Sequence, residues 1–144
     1  MFAGWLLYIA PLLKAGRYVT PFDPDSRVAP IPAADIARIV VSILENPGRH
    51  FGQAYQLNGP LEYSYAELAK VVGQAIGKPI AFEQVEVIQF LKLIGLENDR
   101  VKKNHIEAAR IDQQEGLLRG TDDMGTRIIG RPLMNIEEFI NENR

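Results

Sequence analysis

The 144-residue sequence contains no cysteine, so disulfides, thiolate metal sites and cysteine nucleophiles are excluded. Its two histidines, His50 and His105, are too few and too isolated for a metal cluster. The 12 glycines never reach the spacing G-x-G-x-x-G, and no glycine cluster follows a strand and opens a helix, so neither a dinucleotide-phosphate turn nor a P-loop is present. A G-x-S-x-G nucleophile elbow is also missing. Charge of one sign does not dominate: 16 basic against 18 acidic residues leave a formal charge of -2, which speaks against a nucleic-acid surface. The densest basic run, Arg100-Val-Lys-Lys103, has acidic neighbours and reads as a solvated helix face. The longest apolar stretch, Met1 to Leu13, falls short of the roughly 20 residues that span a bilayer. It lacks the basic start of a signal peptide. These absences point to a cytoplasmic protein that is not held in a membrane.

What is there is an ordinary globular composition, 47% hydrophobic and 24% charged, enough for a single domain over residues 1–144 with a real core. The opening apolar stretch predicts a buried helix over Gly4 to Ala15, bent near Pro11 and ended by Gly16. Being apolar all round, it needs cover on several sides. Short strands are expected at Arg17–Thr20 and Arg27–Ile31, joined by the turn Pro21–Ser26. Ile36, Ile39, Val40, Ile43 and Leu44 then mark an amphipathic helix over Ala34 to Glu45, ended by Asn46-Pro-Gly48. Gln53–Leu57 reads as a strand closed by Asn58-Gly-Pro60.

Ser64 with Glu67 three residues on forms a capping box before a helix that stops at Gly77. A strand over Pro79 to Val85 and helices over Val87–Ile94 and Glu97–Leu118 follow. The chain closes with two capped helices separated by Gly130-Arg-Pro132. Thr121 is expected to cap the first, with Asp122 and Asp123 in its first turn. Asn135 caps the second in a capping box with Glu138. Alternation of this kind is α/β.

Few residues stand out chemically. His50, in the loop Asn46–Gly52, and His105, on a polar helix, read as surface residues. Asp35, in the first turn of its helix, reads as a partner of the helix dipole, with a catalytic acid as the sharper alternative. The aromatic Phe2 and Trp5 read as core at helical spacing, with a pocket wall as the sharper alternative. Together with Pro30 and Pro32 they are the candidates for a substrate pocket.

Six segments in order resemble the NmrA-like proteins, a branch of the atypical short-chain dehydrogenases/reductases. They are Leu6-Leu-Tyr-Ile-Ala-Pro-Leu-Leu-Lys-Ala-Gly16, Val28-Ala-Pro-Ile-Pro-Ala-Ala-Asp-Ile-Ala37, Gly52-Gln-Ala-Tyr-Gln-Leu-Asn-Gly-Pro60, Ser64-Tyr-Ala-Glu-Leu-Ala69, Gly77-Lys-Pro-Ile80 and the closing helices. The resemblance implies the C-terminal part of an NAD(P)-binding Rossmann-like fold, with few short strands and a helical substrate lobe. The dinucleotide-binding half would lie upstream of Met1. It implies NADP or NAD in the full-length parent, none held tightly by this part, and a small-molecule substrate.

Met1 to Trp5 would stand near the nicotinamide. Members of the family often carry a polar residue there, and this sequence does not at Gly4 or Trp5. The Tyr-x-x-x-Lys pair of the classical relatives is missing too: Tyr65 and Lys70 are five apart and fall on different helix faces. The family holds both reductases and dinucleotide-sensing regulators that act through a protein partner, and a free-standing interaction module is a third reading. Strands without their sheet neighbours, and a helix with apolar residues on every side, predict a homodimer or larger assembly.

Overall fold

The computed structural model describes residues 3–143. The opening stretch forms two short helices, α1 (Trp5–Tyr8) and α2 (Ala10–Lys14), broken at Ile9 just before Pro11. Leu6, Ile9 and Leu13 face inward, whereas Leu7 and Tyr8 remain more than half exposed, so the apolar surface expected to need cover is partly open. Strand β1 (Arg17–Thr20) pairs in parallel with β4 (Ala81–Gln84), with Tyr18 opposite Phe82 and Val19 opposite Glu83. Arg17 grips Glu83 across this ladder through two hydrogen bonds of 2.7 and 2.6 Å. Both side chains are about a third exposed, so solvent screens the pair and it contributes little to stability.

A parallel pair needs a long crossover. Here it consists of a two-stranded antiparallel pair and two helices. The pair joins β2 (Arg27–Val28) to β3 (Tyr63–Ser64) across the intervening α3 segment. The helices are α3 (Ala33–Glu45) and α4 (Tyr65–Ile76). After β4 come α5 (Val87–Leu93), α6 (Arg100–Gln114), α7 (Met124–Ile129) and α8 (Ile136–Glu142). The result is a mixed α/β arrangement with few short strands and many helices.

One core joins Leu6, Ile9 and Leu13 to Tyr18 and Val19 of β1, Leu68 and Val72 of α4, and Ile136 and Phe139 of α8. A smaller one packs Ile39 of α3 on Ile31 and Leu133, with Ile128 and Ile129 of α7 at its edge. Gly125 makes this close approach possible, since a Cβ there would lie 3.0 Å from both Ile39 and Leu133.

Several boundaries differ from those the sequence predicts. Gln53–Leu57 is not a strand: among the described residues no backbone ladder pairs with it, and a strand cannot persist without one. The strand expected to reach Ile31 stops at Val28, with only an isolated bridge at Ile31, whose carbonyl accepts from Ala3 N at 2.9 Å. The long polar helix is trimmed at both ends. Asp99 caps its start by accepting from Lys102 N at 2.9 Å, and Gly116 leaves it in the left-handed region at φ 75°. Thr121 caps nothing. Helix α7 begins later, after Asp122 Oδ1 has accepted from Met124 N at 2.9 Å, and Asp123 is drawn to Arg127 one turn on.

Candidate functional site

The region around the start of α3 gathers the pocket candidates, though not into one wall. Pro32 precedes α3 in extended conformation, at φ -67° and ψ 145°. It lines a hollow of about 330 Å3 with Gly4, Leu7, Met134 and Phe139. The bond from Ala3 N to the Ile31 carbonyl holds Gly4 over this spot. Pro30 is buried one step back, beneath the Asn58-Gly59 turn, where a Cβ on Gly59 would stand 1.8 Å from the Pro30 carbonyl oxygen. Phe2 lies outside the described residues.

Trp5 turns inward instead. Its indole meets Tyr18 edge-on at 5.4 Å and Tyr65 at 6.1 Å, and Phe22 stacks on Tyr65 at 5.1 Å. Within this aromatic cluster Gln113 Nε2 donates to the Tyr65 hydroxyl. Trp5 Nε1, the Tyr18 hydroxyl and Gln113 Oε1 are buried polar atoms with no hydrogen-bond partner among the described residues. Burial raises the Tyr18 hydroxyl well above its ordinary pKa, reinforced by Tyr65 nearby. Desolvation likewise raises Tyr65, against the opposing bond from Gln113. Both tyrosines therefore stay neutral at physiological pH. They can donate a hydrogen bond but supply no phenolate base.

Asp35 is more than a partner of the helix dipole. It is completely buried and accepts from Met134 N at 2.6 Å, Arg38 at 2.9 Å and Arg131 at 3.2 Å. It fastens α3 to the turn that leads into α8, beside the Pro32 hollow. Nothing local in the sequence announces this, because Arg131 and Met134 lie almost a hundred residues downstream. His50 bonds through Nδ1 to the Tyr55 hydroxyl at 2.8 Å and stays at the surface; His105 is exposed.

The residues present do not fit a dinucleotide phosphate. A helix N-terminus free of competing anions would be needed. Ser64 and Glu67 cap α4 and Asp99 caps α6, while α3 starts at Pro32 without a side-chain cap but carries the Asp35 carboxylate in its first turn, which repels a phosphate. Among the described residues no group of three or more His, Asp or Glu can hold a metal ion, and no helix is long and apolar enough to cross a membrane.

No family model matches the sequence. The chain is similar to an NAD(P)H azoreductase of Xenophilus azovorans, 27% identical over 135 residues, which cover 93% of this chain and 46% of that protein. Its fold superposes on an NADPH-dependent quinone oxidoreductase of Escherichia coli with a TM-score of 0.84 at 20% identity, covering 99% of this chain and 52% of that one. The triphenylmethane reductase of Citrobacter sp., solved with NADP(H), gives 0.82 at 18% identity, covering 100% and 51%. A nucleoside-diphosphate-sugar epimerase of Staphylococcus aureus gives 0.81 at 24% identity, covering 98% and 49%. The chain thus spans about half the length of the proteins it matches. Over nearly its whole length, its fold is shared with about half of each of these NAD(P)-dependent reductases.

Proposed function

We propose that this chain is the substrate lobe of an NAD(P)-dependent reductase whose cofactor is held by a separate dinucleotide-binding half. The observation that carries the reading is the near-complete superposition of the chain on one half of such reductases, joined to its own lack of a phosphate cradle. Two surface features support it. Helix α3 turns Val40, Val41 and Leu44 outward, opposite its packed face. Gln53–Leu57 lacks a ladder partner although Tyr55 and Leu57 are partly buried. A neighbouring sheet from the cofactor-binding half would cover the first and pair with the second.

In this reading the chain binds and orients a small apolar substrate, using the hollow at Gly4, Leu7 and Pro32, with Trp5 setting the position of Gly4 from behind. NADP or NAD supplies the hydride when bound to the other half. The neutral tyrosines contribute no general base. The protein works in the cytoplasm.

Fusion of this chain to the first half of the Xenophilus azovorans azoreductase tests the proposal. The isolated chain is expected to show no sub-micromolar NADPH binding by isothermal titration. The fusion is expected to bind NADPH and to oxidise it in the presence of an azo, quinone or triphenylmethane acceptor. Tight NADPH binding to the isolated chain, or a fusion that binds NADPH but turns over none of these acceptors, would overturn it.

A further inference from the structure

A second apolar trough lies between α1–α2, α4 and α8. It measures about 590 Å3, within the range of about 300–1,000 Å3 typical of small-ligand sites. Leu6, Leu13, Val72 and Phe139 form its buried floor, and Leu7 and Ile140 rise at its sides. At one end stand Lys14 and Lys78. Both line the trough, and the Lys78 ammonium donates to the backbone carbonyl of Lys14 at 2.5 Å, tying the segment after α4 to the end of α2. Neither lysine has an ion-pair partner among the described residues. The trough shares Leu7, Phe139 and Asn143 with the neighbouring Pro32 hollow, which Glu142 borders. It therefore has a polarity, with two unpaired cations at one end and a carboxylate towards the other.

We propose that this trough binds a free acyl carboxylate, its alkyl chain lying on Leu6, Leu13, Val72 and Phe139 and its head group between Lys14 and Lys78. An apolar floor favours a chain that would otherwise be hydrated. Unpaired ammonium groups at only one end select an anion and fix its direction, because Glu142 repels a head group placed the other way round. The inference does not depend on whether the lobe belongs to a reductase.

Laurate below its micelle concentration is the probe, with dodecanol as the uncharged control, both measured by isothermal titration on the whole chain. One laurate is expected per chain, and dodecanol is expected to bind at least about tenfold more weakly, the order of effect expected from losing ion pairs on a half-exposed head group. Lys14→Gln combined with Lys78→Gln should erase that preference while leaving dodecanol unchanged. Leu7→Asp should abolish binding of both; Leu7 is half exposed, and circular dichroism checks that the variants remain folded.

Equal affinity for laurate and dodecanol, or a laurate affinity indifferent to the lysine substitutions, would overturn the proposal. So would phosphatidylglycerol vesicles that capture the chain when monomeric laurate does not. A dimer that Leu7→Asp dissociates, in the absence of laurate binding, would assign the trough to a second copy instead.

Discussion

Asp35 and Arg131, 96 residues apart, meet across the packed faces of α3 and the turn before α8, the carboxylate fully buried and the guanidinium half exposed at 3.2 Å. Because Met134 N and Arg38 donate to the same carboxylate, its removal unfastens three donors together. Asp35→Ala is expected to cost about 3 kcal/mol, in the range for breaking a buried charged pair. Arg38→Ala, which removes a half-exposed partner, should cost under about 1 kcal/mol. Urea unfolding of the two variants makes the comparison. Equal losses would mean that Asp35 is not the centre of the clasp.

The two capping boxes differ in setting. Ser64 accepts from Glu67 N at 3.1 Å in a partly buried place at the end of β3, whereas Asn135 accepts from Glu138 N at 3.0 Å in the open. Ser64→Ala and Asn135→Ala should each cost about 0.5–2 kcal/mol, with Ser64 the larger because water cannot freely replace the lost acceptor. Thermal melts rank them; the reverse order would contradict the burial argument.

These boxes were legible in the sequence because everything they need lies within four residues. The same holds for the break at Pro11 and the stop at Gly130, whereas β1 and β4 match their strand composition because each finds the other as a ladder partner. Asp35 was readable only as an acidic residue in a first turn, since its remote partners leave no local trace. Gln53–Leu57 carries the composition of a strand, but a strand also requires a neighbour, and no described segment provides one. Thr121 lost its expected cap to the adjacent Asp122, a better acceptor one residue closer to α7. Of the pocket candidates, Pro32 lines the hollow at the start of α3 and Pro30 is buried behind it, while Trp5 is claimed by Tyr18 and Tyr65, whose approach depends on tertiary packing.

Acid should loosen the packing around the β2–β3 pair. Glu62 accepts from Gly120 N at 2.5 Å and from Arg27 at 2.7 Å, and these bonds, the backbone one first, hold its carboxyl below the usual carboxylate range. A depressed folded pKa contributes stability that is fully present above the unfolded value of about 4.3 and is lost as pH falls through the folded value. Glu62→Gln should therefore flatten the acid limb of the stability curve while leaving its shape near neutrality unchanged. Denaturant melts from pH 7 down to pH 3 test this; an acid limb as steep in the variant as in the parent would rule out Glu62 as a contributor.

The isolated chain is expected to self-associate through the outward face of α3. Val40 and Val41 are about half exposed, Leu44 is 71% exposed and Phe51, in the loop that follows, 90%. Large apolar side chains gathered in this way on one surface mark a site that another surface covers. The sequence predicts an assembly that buries the first helix or continues the sheet. Among the described residues of the first helices, Leu7 and Tyr8 are the large apolar side chains left open, because Leu6, Ile9 and Leu13 find cover within the chain. Light scattering at micromolar concentration should therefore report a homodimer or larger assembly, and Leu44→Glu together with Val41→Lys should return it to a monomer. Both positions point into solvent, so the variant is expected to lose little stability. A parent that stays monomeric, or an assembly that survives this double substitution but dissolves on changing Tyr8, would move the association surface back to the N-terminal helices.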